Sequence, residues 1–194
     1  MPYQESHPLM ASNDLTMEQF LVEIEKKAYR MIVISIGDHG DAMDILQDCM
    51  IKLVTKYSQH PSEQWKPLFY KMLHNKITDW HRHQKVKNLL FFWKSETSEE
   101  GDSKHLDNVA DDSSGHKSPI EALEQAQLHQ TVIHALSELS VKQQQCFLLR
   151  SWEGLSVADT AQIMGCSQGS VKTHYSRAVA KIKQTLELVH DYSF

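Results

Sequence analysis

The stretch SVADTAQIMGCSQGSVKTHYSRAVAKI, from Ser156 to Ile182, places a glycine between two short amphipathic segments. Ser156 is followed three residues later by Asp159, a pattern typical of a capped helix start. Gly165 suits the left-handed turn that ends a helix, and Ser167 suits the cap of the next one. A short helix, a turn and a second, basic helix predict a helix–turn–helix, whose second helix can enter a DNA major groove. The open alternative is a helical hairpin with a solvated basic face.

Positive charge is unevenly distributed along the chain. The formal net charge of −5 argues against a general nucleic-acid binder, yet residues 172–183 hold four bases and no acid. Residues 71–87 hold five bases against one acid, and the acidic segment 88–118 separates the two basic regions. Charge placed in this way can steer a polyanion even when the sum is negative.

The rest of the chain predicts an all-α protein, because helical periods dominate and strand-like alternation is absent. Two small helical domains are expected, with a tail over 1–14, a first domain over 15–93, a flexible acidic linker over 94–119 and a second domain over 120–190. The linker is rich in Ser, Asp and Glu and cannot bury enough apolar surface to offset its ordering entropy. The apolar run at 89–93 is expected to pack on the first domain or on a partner.

The apolar stripes set the predicted helices. In the first domain we expect helices over 16–36 and 41–58 and a third helix that begins at Ser62 or Glu63, with Pro67 in its first turn. In the second domain, after Pro119, we expect four helices: one over 120–139, one over 141–152, one that begins at 156 and one over 168–188. Inward-facing stripes are predicted for Phe20, Ile24, Ala28 and Met31, for Leu46, Met50, Leu53 and Tyr57, for Leu128, Val132, Ala135 and Leu139, and for Val171, Tyr175, Val179 and Ile182.

The three cysteines, Cys49, Cys146 and Cys166, lack metal-knuckle spacing, and we expect them to act as small core hydrophobes in a reducing cytoplasm. The apolar runs are far below the roughly 20 residues that a membrane span needs. The N-terminal residues MPYQESHPLMASND contain neither a basic start nor an apolar stretch, so a secretory signal is not expected. We therefore predict a cytoplasmic protein without membrane insertion.

A second candidate nucleic-acid surface lies in KMLHNKITDWHRHQKVK, residues 71–87. Cations next to an amide and an aromatic ring suit single-stranded nucleic acid, whose bases stack on rings. The alternative is that Trp80 is a core residue and the lysines are merely solvated. An acidic stripe formed by Asp41, Asp44 and Asp48, with Gln47 next to it, could receive a basic partner helix or be a solvated face.

Catalysis finds little support, since a glycine-rich phosphate loop, a nucleophile elbow and an H-E-x-x-H pair are all missing from the sequence. The best enzyme hypothesis is a metallohydrolase built from His74, His81 and Asp79. His81 and His83 are two residues apart, which points their rings in different directions on a helix. We predict no catalytic residue, no metal site and no cofactor.

Three segments together resemble a bacterial RNA polymerase sigma factor of the extracytoplasmic-function group of the sigma-70 family. DAMDILQDCMIKLVTKY (41–57) is similar to the helix that grips the polymerase clamp, and WKPLFYKMLHNKITDWHRHQ (65–84) to the promoter-melting segment. Residues 135–182 are similar to the C-terminal helix–turn–helix domain, and the resemblance covers about 15–188. A single helix–turn–helix also occurs in response regulators, whereas two such domains in this order are specific.

The resemblance implies a transcription initiation factor that is not an enzyme, with a region-two and a region-four domain. Its implied partners are core RNA polymerase, through the clamp coiled-coil and the flap, promoter DNA and a separate anti-sigma factor, and the free protein would be a monomer. The implied sites are Asp41, Asp44, Gln47 and Asp48 for polymerase; Lys71, Asn75, Asp79, Trp80, Arg82 and Lys85 for the minus-ten element, with Asn75 capturing a flipped base; and Gln168, Ser170, Lys172, Thr173, His174, Ser176 and Arg177 for the minus-thirty-five element.

Two departures from the family pattern stand out. The melting helix ends in HRHQKVK instead of an arginine run, so its charge is diluted by histidine and depends on pH. His174 stands where arginine is frequent. From the residues alone, a stand-alone helix–turn–helix regulator that binds duplex operators is the alternative function.

Overall fold

The computed structural model describes residues 16–94, 128 and 130–191, with side chains over 16–89, 128 and 130–187. The predicted tail, the predicted linker beyond residue 94 and the first part of the predicted 120–139 helix lie outside the described residues. The described part is helical and has no strand, which confirms the all-α prediction. Its helices are α1 (Met17–Ile36), α2 (His39–Tyr57), α3 (Ser62–Lys94), α4 (130–137), α5 (Val141–Phe147), α6 (Val157–Met164) and α7 (Gln168–Asp191). None of the described helices is long and apolar enough to span a bilayer.

Local sequence sets the first corner of the fold. The side chain of Thr16 accepts a hydrogen bond from the backbone N–H of Gln19, and the Gln19 side chain accepts one from the backbone N–H of Thr16, so α1 begins with a capping box. Gly37 ends α1 in the left-handed conformation, at φ 71°, which glycine adopts without steric cost. Asp38 then caps α2 through a bond of 2.8 Å from the Asp41 N–H. The short connection lets α1 and α2 pack side by side.

One apolar cluster extends through both halves of the molecule. Phe20, Phe69 and Leu73 from α1 and α3 belong to the same buried cluster as Leu149 and Ile182 from the second half. Direct contacts of α1 with α5 and of α3 with α6 join the two halves. Burial of each such side chain is worth about 1.5–3 kcal/mol, so the halves stabilise each other. We call the contact between α1–α3 and α4–α7 the seam.

Cys49 and Cys146 are fully buried, as predicted for core hydrophobes, and Cys166 is half-buried. Burial raises the pKa of the Cys49 thiol and of the Cys146 thiol to about 11. Both groups therefore stay protonated at neutral pH and behave as small apolar side chains.

Two predictions about the helical backbone were wrong. Residues 141–152 do not form one α-helix, because the chain widens to a π-helical turn over Leu148–Trp152, with the Glu153 N–H donating to the Leu148 carbonyl at 3.1 Å. Pro67 lies inside α3 and not in its first turn. The helix persists past it because buried Trp65 and Phe69 anchor the turns on either side.

Two predictions about burial were also wrong. Val179 is 39% exposed, while its neighbour Ala178 is fully buried, because seven residues after Val171 return nearly to the same helix face and eight do not. Leu128 is 57% exposed, since burial in α4 begins only at Ile133. Leu89, the first residue of the apolar run 89–93, is 61% exposed. The side chains of 90–93 lie outside the described residues, so the packing of this run on the first domain or on a partner stays a prediction.

Candidate nucleic-acid interface

The helix–turn–helix has the predicted caps. The Ser156 hydroxyl accepts a bond of 3.0 Å from the Asp159 N–H, and the Ser167 hydroxyl accepts one of 3.1 Å from the Ser170 N–H. Gly165 ends α6 at φ 61°. A Cβ at Gly165 would meet no atom within 4 Å, so its backbone angle and not the space around it requires glycine. These caps fix where α6 ends and α7 begins.

The outward face of α7 follows from the residues buried beneath it. Val171, Ala178 and Ile182 are buried, which turns the opposite side of the helix to solvent. Lys172 and Arg177 are exposed there. The remaining predicted residues of this face comprise exposed Gln168, Thr173 and Ser176 and half-buried Ser170 and His174.

Tyr175 braces α7 from its side. Its ring stacks on Phe147, with centroids 6.1 Å apart and planes 15° apart. Its hydroxyl is 2.9 Å from the Ser151 hydroxyl, and the Arg150 guanidinium lies 5.9 Å from its ring centroid. Tyr175 therefore joins α7 to the end of α5 and to the π-helical turn.

The predicted face of α3 is opposite buried Phe69, Leu73 and Ile77. Asn75 and Asp79, four residues apart, share one exposed strip of that face. The other exposed residues predicted for it are Lys71, Arg82 and Lys85, and Arg82 forms an exposed ion pair of 3.2 Å with Asp79. Trp80 differs from them because it is half-buried and its Nε1 donates to Asp41 Oδ2 at 2.6 Å.

The acidic stripe on α2 is partly engaged within the chain. Asp41 accepts the hydrogen bond from Trp80, and Asp48 accepts one of 2.6 Å from Lys76. The hydrogen bond to Asp48 raises the pKa of Lys76. Asp44 and Gln47 are exposed. Two of the four predicted polymerase-binding residues thus also hold α3 against α2.

The two basic faces border one cleft. A cavity of about 1000 Å³ lies between α3 and the helix–turn–helix. Its walls include, among others, Asn75, Asp79, Arg82 and Lys85 from α3, Lys142 and Gln145 from α5, and Ser170, His174 and Arg177 from α7. The other predicted DNA-binding residues and the α2 stripe do not line this cavity. We call this space the central cleft.

Comparison with known proteins identifies the family. Residues 129–182 match the family model described as Sigma-70, region 4. An RNA polymerase sigma-E factor from Streptomyces avermitilis is 25% identical over 153 residues, which are 78% of this chain and 74% of that protein. The ECF RNA polymerase sigma factor BldN from Streptomyces coelicolor is 26% identical over 160 residues, 81% of this chain and 55% of BldN. The chain belongs to the sigma-70 family of RNA polymerase sigma factors.

Within that family it is a member of the extracytoplasmic-function group and a transcription initiation factor, as the sequence predicted. The structure of the sigma factor RpoE in complex with the anti-sigma factor NepR from Bartonella quintana has the same fold. Its TM-score is 0.63 at 20% sequence identity, and the match covers 88% of this chain and 96% of that one. The relatives are sigma factors, and the enzyme hypothesis finds no counterpart among them.

The residues of the enzyme hypothesis have other partners in this sigma factor. His74 Nδ1 contacts Gln145 Oε1, His81 Nε2 donates to the Ser35 carbonyl at 3.0 Å, and Asp79 pairs with Arg82. Over residues 16–94 and the described part of 128–191, no group of three or more His, Cys, Asp or Glu side chains is placed to hold a metal ion.

The seam contains polar residues that the sequence did not single out. Gln144 is buried, and its Nε2 donates both to the Ile34 carbonyl at 3.1 Å and to the Leu136 carbonyl at 2.9 Å. The adjacent Gln145 is fully buried against His74. Both glutamines occupy positions of the apolar stripe that continues to Leu148 and Leu149, and this was the available signal for their burial.

Proposed function

We propose that this sigma factor docks on core RNA polymerase through α2 and recognises promoters with two separate surfaces, one on α7 and one on α3. The exposed, acid-free face of α7 on a capped helix–turn–helix is the observation that carries this proposal. The proposed domains are a region-two domain over 15–93 and a region-four domain over 120–190, with a tail over 1–14 and a flexible linker over 94–119. The expected location is the cytoplasm, where the polymerase works, and the free protein is expected to be a monomer.

The α7 surface would read the minus-thirty-five element in the major groove. Lys172 and Arg177 are long cationic side chains on the exposed side, and such side chains reach phosphates or guanine edges. The Thr173 hydroxyl donates to the Gly169 carbonyl at 3.0 Å, and the Ser176 hydroxyl to the Thr173 carbonyl at 3.1 Å. Each keeps acceptor lone pairs for a base or for bound water. Gln168, Ser170 and His174 complete the proposed surface.

The α3 surface would hold the opened minus-ten strand. Asn75 is exposed in the middle of the basic helix, with amide donors and an acceptor for the edge of an unstacked base. Binding the unstacked strand offsets the few kcal/mol that unstacking costs, so strand opening needs no fuel. Lys71, Asp79, Trp80, Arg82 and Lys85 would surround that base.

The α2 surface would meet the basic clamp coiled-coil of the polymerase, and region four would meet its flap. Asp44 and Gln47 are free to face a partner helix, whereas Asp41 and Asp48 would contact it while holding α3. One helix would thus connect docking on the polymerase with the position of the minus-ten surface. Tethering both DNA-binding surfaces to one polymerase raises the effective concentration of the second once the first has engaged.

A separate anti-sigma factor is proposed as a further partner. The RpoE structure that shares this fold was determined with one bound, which supports the proposal. Co-purification from the native host with a protein that blocks transcription by this chain would test it.

Transcription with purified core polymerase tests the main proposal. Polymerase free of other sigma factors, mixed with this chain and a library of promoter fragments, should initiate on a subset that shares two spaced motifs. The alternative, a stand-alone regulator, would protect duplex DNA from nuclease without polymerase and would not migrate with polymerase in gel filtration. Absence of initiation on every fragment of a saturating library would contradict the proposal.

A further inference from the structure

The walls of the central cleft carry more positive than negative charge. Four of the described residues that line it are lysine or arginine, and one, Asp79, is acidic. The cations come from three helices: Arg82 and Lys85 from α3, Lys142 from α5 and Arg177 from α7. Arg82 pairs with Asp79, and no acid of the described structure pairs with the other three cations. A cleft lined by one sign of charge concentrates the field inside it, so this cleft attracts anions.

Two residues that line the cleft have buried nitrogen atoms without a hydrogen-bond partner. Gln145 is fully buried, its Oε1 contacts His74 Nδ1, and its Nε2 has no partner among the described residues. Nδ1 of half-buried His174 also has no partner there. Native proteins normally satisfy such atoms with protein, water or a ligand. An amide nitrogen can only donate, so the partner that Gln145 lacks is an acceptor, such as a phosphate oxygen.

The size of the cleft and its rings indicate the class of ligand. Its volume of about 1000 Å³ is at the upper end of the range of small-molecule sites, about 300–1,000 Å³. A single phosphate group would contact one wall, whereas a molecule with two or more can reach cations on α3, α5 and α7 together. Arginine binds phosphate through two parallel N–H bonds, and lysine binds it as a point charge. The imidazole rings of His74 and His174 also line the cleft, and histidine rings stack on nucleic-acid bases.

We propose that the central cleft is a binding site for a small molecule that carries two or more phosphate groups, such as a nucleoside diphosphate. Lys85, Lys142 and Arg177 bind its phosphates, and Gln145 donates to a phosphate oxygen. Lys142 and Gln145 lie outside both proposed promoter surfaces, so promoter binding does not account for them. Lys85 and Arg177 belong to those surfaces, and the ligand therefore competes with promoter DNA for them. That competition rests on the proposed function, whereas the ligand site does not.

Isothermal titration calorimetry of the full chain tests the site, with ADP as the probe. ADP should bind to one site per chain and should raise the unfolding temperature, because a ligand that binds only the folded chain stabilises it by mass action. Pyrophosphate should also bind, since it keeps two phosphates, whereas adenosine, which has none, should not. Both possible orders of affinity support the site. Tighter binding of ADP than of pyrophosphate would mean that the nucleoside adds contacts, and equal binding would mean that the phosphates alone are recognised.

Lys142→Gln is the decisive variant, because Lys142 is exposed and its replacement should not disturb folding. It should weaken ADP affinity roughly tenfold, the contribution of one hydrogen bond to a charged group, and leave initiation with core polymerase unchanged. Lys172→Gln is the matched control, since it removes the same charge from an exposed position of α7 that does not line the cleft. It should leave ADP affinity unchanged. Gln145→Met keeps the length of the buried side chain without its donor and should also weaken ADP binding.

Absence of a binding heat and of a shift in unfolding temperature, with ADP and pyrophosphate at millimolar concentration, would overturn the site. Equal losses of ADP affinity in Lys142→Gln and Lys172→Gln would overturn it too, because they would show a general attraction of anions. Failure of ADP binding with normal initiation would leave the proposed function intact. Failure of the wild type to initiate would remove the promoter surfaces, while ADP binding that depends on Lys142 would still support the ligand site.

Discussion

The two basic helices of this sigma factor differ in how their exposed faces are built. On α7 the cations Lys172 and Arg177 are exposed and no acid pairs with them in the described structure. On α3 the basic face is connected to acids, since Arg82 pairs with Asp79 and Lys76 pairs with Asp48 of α2. The charge of the α7 surface thus depends only on residues of that helix, whereas the charge of the α3 surface depends on residues of both α2 and α3. A substitution on the α7 surface should therefore affect DNA binding at that surface alone. A substitution on the α3 surface should also affect docking on the polymerase, because α3 contacts the acidic stripe of α2.

The largest effect is expected beneath the α3 surface. Ile77 is fully buried under the strip that carries Asn75, and Ile77→Ala should cost about 2–5 kcal/mol of unfolding free energy through lost burial and a cavity. Urea unfolding followed by circular dichroism would measure the loss as a lower midpoint at unchanged slope. Val86→Ala, on the same helix but 54% exposed, should change stability by less than about 0.5 kcal/mol. Equal effects in the two variants would mean that α3 is not anchored as described.

The next prediction compares two arginines. Arg177→Ala should weaken binding of the polymerase complex to promoter DNA by about 1–3 kcal/mol if Arg177 reads a base pair. Arg82→Ala should weaken binding less, because Arg82 already shares its charge with Asp79 at 3.2 Å. Fluorescence anisotropy on promoter fragments with and without the minus-thirty-five element would separate the two contributions. Lys183→Ala, at an exposed ion pair with Glu187, is the control and should have little effect.

Equal losses for Arg177→Ala on both fragments would contradict a base-reading role for α7 and leave only phosphate contact. A larger loss of promoter-DNA affinity for Arg82→Ala than for Arg177→Ala would contradict the predicted order. It would mean that α3 contributes more to DNA binding than α7.

A third prediction concerns the pH dependence of the seam, the contact between the two halves that carry these helices. Burial lowers the pKa of His74, the hydrogen bond to Gln145 opposes this shift, and the charge of Lys142 on α5 adds to it. His174 on α7 and Asp79 on α3 line the same cleft. Because burial at the seam disfavours charged His74, the contact between the two halves loses stability as the pH falls below the ordinary histidine pKa of about 6.5, by at most about 1.4 kcal/mol per pH unit for one proton. Acid should therefore favour separation of the two halves.

Small-angle X-ray scattering at a series of pH values between about 8 and 5.5, around the ordinary histidine pKa, would show this separation of the halves as an increase in the radius of gyration. His74→Gln should reduce the pH dependence, whereas His83→Gln, at an exposed position of the same helix, should leave it in place. A radius that does not change with pH in the wild type would contradict the assigned role of His74.

The comparison also explains how far the sequence could predict the molecule. The caps at Ser156 and Ser167, the turn at Gly165 and the face of α7 depend on neighbours within one turn, so local patterns predicted them. Periodicity could not show what a buried residue faces. Gln144 reaches Ile34 across 110 positions of the chain, and such a pairing exists only once the halves meet. The burial of Glu153 was equally hidden, because a charged residue is normally exposed and its neutralising partner, Lys66, lies 87 positions away.

The smallest change in stability is expected at Asp48 of α2, and it tests whether this residue stabilises the fold or binds the polymerase. Asp48 and Lys76 are 61% and 45% exposed, and an exposed pair of this kind contributes about 0–1 kcal/mol to stability. Asp48→Asn should therefore change the unfolding free energy by less than about 0.5 kcal/mol, yet it should weaken binding to core polymerase if Asp48 meets the basic clamp. Gel-shift titration with core polymerase measures the second quantity, and Asp79→Asn, whose carboxylate pairs with Arg82 on the other surface, is the matched control. Loss of stability without loss of polymerase binding would make Asp48 a structural residue that only positions α3. Loss of polymerase binding at unchanged stability would show that Asp48 contributes to docking on the polymerase. The same carboxylate would then serve two contacts, because it also pairs with Lys76 of α3.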